Sequence, residues 1–220
     1  MASAAPLSTY ATLCNDVYTP TSKPPVAMVQ RVITEGNFAA KIYSVNKTMV
    51  IAYAGTDDLQ DTLLEDVVGI GLTGATVTMH YTTALRIAAQ AAERGTIEVC
   101  GHSLGGAYAQ LVARELDVTG VTFNAPGAAH MNPTGSSGGA VTPGGVIGGD
   151  GAKIGEWLVR GTYTYNFRHP TDVVSAVGIH CGNRCRNLPM PLVNPGAAHS
   201  IVGIETWLNA NGRGRAPEQF

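Results

Sequence analysis

The 220-residue sequence predicts an α/β fold with a mostly parallel central sheet. The main evidence is a strand–turn–helix–strand unit. The run TIEVC (96–100) carries the β-branched residues of a short buried strand, and apolar residues then recur at helical spacing over 104–116. Residues 118–123 are strand-like again, and a strand–helix–strand connection places its two strands parallel in one sheet. A chain of this length with 45% hydrophobic residues can bury one sizeable core, which predicts a single domain over 1–220.

The other predicted elements follow from the same two patterns, helical spacing and strand-like alternation. A helix opens the chain and is followed by a proline-rich turn, a strand pair and a strong third strand. A longer helix leads to the central unit, and a further strand and a final helix come after it. In chain order these elements lie at about 7–18, 20–25, 29–45, 48–54, 79–94, 162–167 and 201–208.

A glycine-rich segment separates the central unit from the later strand. Residues 135–151 contain eight glycines and no hydrophobic periodicity, which indicates a mobile loop rather than a linker between two domains. The segment leaves the sheet after Phe123, at the carboxyl ends of parallel strands, where ligand sites form in such sheets. It is therefore expected near the functional edge, either as a flap over the site or as an inert insertion.

The bend between the strand and the helix of the central unit carries a candidate nucleophile. Residues 99–106 read VCGHSLGG and match the pattern G-x-S-x-G at Gly101, Ser103 and Gly105. In such an elbow the small residues allow a turn so sharp that the serine side chain stands at the sheet edge. The alternative is a serine that only caps the helix. The flanking strand and helix are the context that the motif requires, so the sequence favours a nucleophile.

A serine nucleophile needs a base and an orienting acid, which follow it in the order Ser, Asp or Glu, His in enzymes of this topology. Asp172 follows the strand at 162–167 and so lies at the same edge as Ser103; a plain turn residue is the alternative. His199 stands between a Pro-Gly loop and a helix and is the favoured base. His180, beside a cysteine loop, is its rival.

Four other histidines fit the role of the base less well. His80 precedes the nucleophile, and His130 precedes nearly every candidate acid. His169 is too close to Asp172 along the chain. His102 adjoins the serine in the elbow, so its side chain is expected to point away from the nucleophile's target.

The four cysteines divide into two kinds. Cys14 and Cys100 lie in a predicted helix and a predicted strand and indicate buried thiols. Cys181 and Cys185 stand in the loop HCGNRC, where a small disulfide is the leading interpretation and a zinc site with His180 is the rival. A disulfide favours an oxidising compartment, whereas the start of the sequence shows no secretory signal peptide. The sequence therefore leaves the localisation open, with a secreted protein lacking its leader as one alternative.

Composition excludes several classes of function. The chain has 14 basic and 16 acidic residues, a net charge of −2 and no basic run, which argues against a nucleic-acid partner. No stretch approaches the roughly 18 apolar residues of a transmembrane helix. Nothing in the sequence indicates an oligomeric state.

Five segments together resemble the class 3 lipases, the fungal triacylglycerol lipase type, within the α/β-hydrolase fold. They occur in the family's order between about residues 49 and 208 and read AYAGTDD, VCGHSLGGAYAQLVA, VTFNAPG, FRHPTDVVSAVG and AAHSIVGIETWL. The resemblance implies helices on both faces of the sheet and ester hydrolysis that needs no metal and no cofactor.

The same resemblance implies a role for each candidate residue. Ser103 is the implied nucleophile, Asp172 the orienting acid and His199 the base. Thr56 and the backbone N–H of Leu104 are the implied donors of the oxyanion hole.

The predicted function is therefore the hydrolysis of carboxylic esters, either small molecules or lipids, through an acyl-enzyme intermediate. Residues 58–66 correspond to the short amphipathic lid of the family, which implies contact with a lipid surface. One alternative is a thioesterase, acyltransferase or peptidase that uses the same triad. Another is a catalytically silent hydrolase fold used for binding, against which the intact Ser, Asp and His set argues.

Overall fold

The computed structural model describes seven parts of the chain, with side chains for all of them except residues 74–79, 140–147 and 184. These parts are residues 3–55, 74–129, 140–142, 145–147, 163–182, 184–212 and 214–220.

Nine strands lie within the described residues. Seven of them form the central sheet, and β6 and β7 pair separately as a small antiparallel hairpin. The strands are β1 (Met28–Glu35), β2 (Phe38–Val45), β3 (Thr48–Tyr53), β4 (Ile97–His102), β5 (Thr119–Phe123), β6 (Ala140–Thr142), β7 (Gly145–Ile147), β8 (Thr164–Arg168) and β9 (Arg184–Asn187).

The central sheet is mostly parallel, as the sequence predicts. Its strand order is β1-β2-β3-β4-β5-β8-β9. The first two pairings are antiparallel, and every pairing from β3 to β9 is parallel. The carboxyl ends of the parallel strands consequently meet at one edge of the sheet, which is the edge where such sheets build their sites.

Helices cover both faces of this sheet. In the described residues they are α1 (Leu7–Asp16), α2 (Gly74–Ala92), α3 (Leu104–Leu116), α4 (Pro195–His199) and α5 (Ile201–Asn211). Helices α2 and α3 pack with one buried cluster, and α1 and α5 pack with the other. None of the helices in the described ranges is long and apolar enough to cross a membrane.

Strand β3 shows why both faces are buried. Ile51 and Tyr53 belong to the cluster under α2 and α3, whereas Val50 and Ala52 belong to the cluster under α1 and α5. Successive side chains of a strand point to opposite faces, so a strand covered on both sides is apolar at every position. Burial on both faces is thus the physical reason for the uninterrupted apolar run that predicts this strand.

A buried ion pair fixes the end of α1 to the sheet. Lys41 Nζ on β2 lies 2.7 Å from Asp16 Oδ2 and also donates to the carbonyl oxygen of Thr19 at 2.7 Å. The Tyr43 hydroxyl donates to the same Asp16 oxygen at 2.7 Å. Lys41 is fully buried, and the several oxygens around its ammonium supply the hydrogen bonds that a buried charge needs. The chain between Asp16 and Thr19 is thereby held against β2.

The structure differs from the sequence prediction in several elements. The Pro-Gly segment before His199, predicted as a loop, forms the short helix α4, and strand β9 was not predicted. Helix α2 begins at Gly74, five residues before the predicted start at 79. Within the glycine-rich segment, 140–142 and 145–147 form the hairpin of β6 and β7 rather than irregular chain. The β-branched residues before and after the Pro-Gly pair of the sequence favour strands at both places. The rest of 135–151 lies outside the described residues.

Candidate functional site

The serine elbow is a strained turn between β4 and α3. Ser103 has φ 56° and ψ −131°, a backbone conformation that L-residues rarely adopt. Close packing on both sides holds it there, because a Cβ on Gly105 would lie 2.1 Å from the carbonyl oxygen of Tyr53. A Cβ on Gly101 would lie 2.3 Å from the Gly105 backbone. The glycines are therefore required by space, and strain of this kind is typical of functional sites.

The structure brings Ser103, His199 and Asp172 into one hydrogen-bonded chain. Ser103 Oγ lies 3.0 Å from His199 Nε2, and His199 Nδ1 lies 2.8 Å from Asp172 Oδ1. A carboxylate only accepts, so Nδ1 carries the imidazole proton and Nε2 can accept the serine proton. The Ser103 side chain makes no capping hydrogen bond to α3, so the alternative of a plain helix cap is wrong.

Asp172 is held in its ionised form. Its side chain is fully buried, and its second carboxylate oxygen accepts the backbone N–H of Ser175 at 2.9 Å. Burial acts to raise the pKa of Asp172, but the hydrogen bond and charge of His199 and the hydrogen bonds of Ser175 outweigh it. The pKa of this carboxyl therefore lies below its usual range, and the carboxylate is available to orient His199.

The structure describes only one of the two residues that are predicted to supply oxyanion donors. Leu104 is the first residue of α3, so its backbone N–H has no acceptor within the helix, at the end where the helix dipole favours negative charge. Thr56 and the lid-like segment 58–66 lie outside the described residues. Gly55, next to Thr56, is described, and its N–H donates to the Tyr18 hydroxyl at 3.0 Å.

The structure does not bring the rival histidines to the serine. His180 Nε2–H donates to the carbonyl oxygen of Ser175 at 3.0 Å, and burial lowers the pKa of this imidazole. His169 is buried and its Nε2–H donates to the carbonyl oxygen of Pro191 at 2.9 Å. Both imidazoles thus support the loops that flank Asp172.

The predicted disulfide between Cys181 and Cys185 is wrong. Both thiols are free, as are Cys14 and Cys100, which are buried as predicted. Cys181 is buried 3.7 Å from the Arg114 guanidinium, and burial raises its pKa to about 11. Cys185 is exposed, because the loop continues directly into β9, whose pairing with β8 carries that residue away from its neighbour.

A metal site finds no support in the described part of the chain. Its histidine, cysteine and acidic side chains include no group of three or more that could hold a metal ion. The zinc alternative with His180 would need such a group.

Sequence reasoning missed three side chains that surround the hydrogen-bonded chain. Asn124 Nδ2 donates to the carbonyl oxygen of Ala198 at 2.7 Å, and Asn124 Oδ1 accepts the N–H of His169 at 2.8 Å. His102 and Tyr18 form a second connection, from the elbow to the end of α1. Asn124 directly follows a strand at the functional edge, and this position in the sequence could have marked it as a candidate site residue. The contact of Tyr18 has no local signal, since 84 residues separate it from its partner.

His102 makes a contact that the sequence did not predict. Its ring centroid lies 4.8 Å from that of His199, the predicted base. Its Nε2–H donates to the carbonyl oxygen of His199 at 2.7 Å. A residue next to the nucleophile in sequence thus contacts the predicted base in space.

Together these groups can perform acyl transfer. A hydroxyl paired with an imidazole, which is in turn oriented by a buried carboxylate, is the arrangement that activates a serine for attack on a carbonyl carbon. The helix N-terminus at Leu104 adds backbone donors where negative charge would develop.

Known proteins resemble this chain in sequence or in fold. The extracellular phospholipase A1 of Serratia liquefaciens is 38% identical over 90 residues, which are 41% of this chain and 28% of that protein. The chain thus matches less than a third of the length of this relative. A solved fungal lipase is 15% identical, covers 88% of this chain and 82% of its own, and superposes with a TM-score of 0.50. The lipase of Rhizopus microsporus var. chinensis is 17% identical, with 78% and 67% coverage and a TM-score of 0.48.

The fold and the family follow from these matches. The mostly parallel sheet with helices on both faces and the superposition on the fungal lipase show the α/β-hydrolase fold. A phospholipase-like family model, the Tle-like phospholipase domain, matches residues 9–161, which are more than half of the chain and include Ser103. Membership of such a family supports ester hydrolysis. The chain belongs to the Tle-like phospholipase family, a class 3 lipase-like group of the α/β-hydrolase fold.

Proposed function

We propose that this protein is a serine hydrolase that cleaves the carboxylic esters of lipids, with Ser103 as nucleophile, His199 as base and Asp172 as orienting acid. The observation that carries the proposal is the unbroken hydrogen-bonded chain between these three side chains, with the serine on a strained elbow. Each of the three lies at the carboxyl edge of the parallel sheet.

The mechanism follows from the proton positions. His199 Nε2 takes the Ser103 proton as Oγ attacks the ester carbonyl, and Asp172 stabilises the imidazolium that forms. The N–H of Leu104 and the proposed donors at Thr56 stabilise the oxyanion, and one such donor is commonly worth about 3–4 kcal/mol. The alcohol leaves with the proton from His199. Water then attacks the acyl carbon, with His199 again as base. The bond between this carbon and Ser103 Oγ breaks, Oγ regains its proton from His199, and the carboxylic acid leaves.

Exposed apolar side chains at the same edge support a lipid substrate. Leu192 is 74% exposed, and it precedes Val193, whose carbonyl oxygen accepts the Thr171 hydroxyl at 2.9 Å. Thr171 adjoins Asp172, so the apolar segment packs on the loop that carries the proposed acid. Val202, also exposed, lies in the first turn of the helix after His199. Exposed apolar side chains grouped around a site favour contact with an apolar surface.

Hydrolysis of graded substrates tests the proposal. The protein is incubated with p-nitrophenyl esters of increasing acyl length and with phosphatidylcholine vesicles, and released nitrophenol and fatty acid are measured. Ser103→Ala and His199→Ala should each lose on the order of 10⁶-fold in kcat, because triad members act as a unit. His180→Ala, the matched control, should keep its activity within about threefold of the wild type, since that imidazole only supports a loop. Loss of activity in His180→Ala with retention in His199→Ala would move the base and refute the assignment.

A serine-reactive phosphonate separates the proposal from a silent binding protein. Labelling of Ser103, located by peptide mass spectrometry and absent from Ser103→Ala, is the expected result. Matched thioester and amide substrates then test the alternative acyl-transfer activities. A preference for either over the corresponding ester would contradict the proposed substrate class.

The lipid contact has its own test. Leu192→Ser should lower fatty-acid release from vesicles while leaving the hydrolysis of a soluble butyrate ester unchanged. Met28→Ser is the matched control, because Met28 is 63% exposed on the edge strand β1, at the other end of the sheet. Equal rates on vesicles for the two variants would show that the segment around Leu192 does not contact the lipid.

A further inference from the structure

A chain of hydrogen bonds runs from the end of β3 to the backbone of the proposed base. The N–H of Gly55 donates to Tyr18 Oη at 3.0 Å, and Tyr18 Oη lies 3.2 Å from His102 Nδ1. His102 Nε2 lies 2.7 Å from the carbonyl oxygen of His199. The three bonds thus connect Gly55, which precedes the predicted oxyanion residue Thr56, with His199.

Each proton in this chain has a determined place. A carbonyl oxygen only accepts, so Nε2 of His102 must carry the ring proton. In a neutral imidazole the other nitrogen is then an acceptor, and the Tyr18 hydroxyl donates to it. The hydroxyl oxygen in turn accepts the N–H of Gly55. This arrangement of protons satisfies all three hydrogen bonds with a neutral His102.

The surroundings of His102 keep it neutral. Burial, and to a smaller extent the nearby His199, lower the pKa of this imidazole to about 3, against the opposite effects of the His199 carbonyl and Asp172. A neutral ring next to the proposed base adds no repulsion when His199 becomes an imidazolium. The same burial would make His102 a poor base itself, so it cannot substitute for His199.

Tyr18 is itself fixed from both sides along the chain. Lys41 binds Asp16 before it and the carbonyl oxygen of Thr19 after it. The Tyr18 ring meets the His102 ring edge to face, with centroids 6.3 Å apart. A buried ion pair therefore supports the hydroxyl at one end, and the strained elbow supports the imidazole at the other.

We propose that Tyr18 and His102 are positioning residues that hold the backbone at His199 and at Gly55 in a fixed spatial relation, so that base and oxyanion donor are set together for the reaction. The proposal rests on the proposed function. Both residues act through the backbone groups that they bind, the N–H of Gly55 and the carbonyl oxygen of His199.

Loss of the Tyr18 hydroxyl tests the connection with a minimal change. Tyr18→Phe keeps the ring and removes the donor to His102 and the acceptor for Gly55. On a soluble butyrate ester its kcat should fall about tenfold, which is about 1.4 kcal/mol in activation free energy, with KM within about twofold of the wild type. A misplacement that affects only the transition state lowers kcat and leaves ground-state binding unchanged.

Tyr10→Phe is the matched control. Tyr10 lies on α1, the helix that precedes Tyr18, and its buried hydroxyl donates to Glu98 near the opposite end of the strand that carries His102. It should lose stability comparable with Tyr18→Phe and keep its kcat within about twofold. Equal kcat values for the two variants would overturn the proposal, as would a Tyr18→Phe effect confined to KM.

Substitutions at His102 separate positioning from packing. His102→Gln keeps an amide N–H near the position of Nε2, so it should retain more kcat than His102→Ala, by about fivefold or more. Adding Tyr18→Phe to His102→Gln should cost less than about twofold further, because the connection from Gly55 to His199 is already broken at His102. Equal losses for Gln and Ala, or additive effects in the double variant, would contradict the proposal.

Imidazole ¹⁵N NMR tests the hydrogen bonds of His102 independently of turnover. His102 should show the neutral Nε2–H tautomer from pH 7 to 4.5, and Tyr18→Phe should shift its Nδ1 signal. A cationic His102 at pH 6, or the opposite tautomer, would overturn the inference even with an active enzyme. An inactive wild type, or Ser103→Ala with wild-type activity, would instead refute the proposed function, and the NMR result would still decide whether the connection exists.

Discussion

Asn124 and Ala198 are joined by a buried hydrogen bond in which Asn124 Nδ2 donates to the Ala198 carbonyl oxygen at 2.7 Å. The other end of the same amide accepts the N–H of His169 at 2.8 Å. One side chain thus connects the helix that ends at His199 with the loop that carries Asp172. Its position directly after β5, with φ 46°, suits Asn, which tolerates the left-handed region better than most residues.

The first prediction concerns this amide. Asn124→Gly keeps the backbone conformation accessible and removes both hydrogen bonds, so it should lower the free energy of unfolding by about 2–3 kcal/mol. Its kcat should fall about tenfold, because helix and loop lose their common support. Urea unfolding and ester hydrolysis measure the two effects.

Asn124→Asp is the matched variant. It keeps an acceptor for the N–H of His169 and replaces the donor to Ala198 with a carboxylate oxygen. We expect it to be at least as inactive as the glycine variant. Wild-type kcat in either variant would show that the amide only stabilises the fold.

The second prediction concerns strain at the nucleophile. Ser103 occupies a backbone region that glycine enters without steric cost, so Ser103→Gly should unfold with a free energy about 1 kcal/mol higher than Ser103→Ala. Both variants should be inactive. Urea denaturation of the two proteins measures the difference.

Ser44, which is paired on both sides as the last residue but one of β2, provides the control for this comparison. There Ser44→Gly should be less stable than Ser44→Ala by about 0.5–1 kcal/mol, since glycine weakens a strand interior. The same order of stability at both positions would refute the view that the elbow stores strain.

The features that sequence predicted best are those with a local cause. The elbow is defined by glycines within a few residues of Ser103, and β3 by an apolar run that reports burial on both faces. Asp172 and His199 could be chosen because parallel strands bring their carboxyl ends to one edge. Their roles remain predictions, but their meeting with Ser103 follows from topology.

The features that sequence did not predict depend on contacts between distant parts of the chain. Tyr18 meets His102 only because α1 lies across the sheet, and the spacing of apolar residues in α1 says nothing about a hydroxyl beyond its end. Cysteine spacing suggested a disulfide, yet sheet pairing of β9 decided where Cys185 lies. Longer-range packing overrode the local signal in both cases.

The third prediction follows from the free cysteines. Cys185 is exposed and the other three are buried, so Ellman's reagent should react quickly with one thiol in the native protein and with four after denaturation. Partial burial of its sulfur raises the pKa of the Cys185 thiol. Cys185 should therefore react with the reagent more slowly than a free small thiol does at pH 8. Cys185→Ser should abolish the fast phase. A total of only two reactive thiols after denaturation would show that Cys181 and Cys185 do form a disulfide.

The last prediction is a pH dependence of stability that arises at His102. Its pKa in the folded protein is about 3, below the 6.5 of an unperturbed imidazole, chiefly because of burial. Between these values the unfolded chain binds a proton that the folded protein does not, so the free energy of unfolding falls as the pH is lowered. His199 and Asp172 are the charged neighbours of this ring, and the low pKa of Asp172 adds a loss of the same sign at lower pH.

His102→Gln isolates the contribution of the imidazole, because every other titrating group is kept. The variant should be less stable than the wild type at pH 7, and the gap should narrow by at least about 1 kcal/mol on lowering the pH from 6.5 to 4.5, since one extra proton is worth about 1.4 kcal/mol per pH unit. Urea unfolding of both proteins at half-unit pH intervals measures the gap. His180→Gln is the control, because burial lowers the pKa of His180 as well. The difference in unfolding free energy between this variant and the wild type should also narrow at low pH. His180→Gln should not show the loss of kcat that is expected for His102→Gln. Parallel curves for His102→Gln and the wild type would mean that His102 takes up its proton in the folded protein, which would contradict the low pKa that burial gives this imidazole.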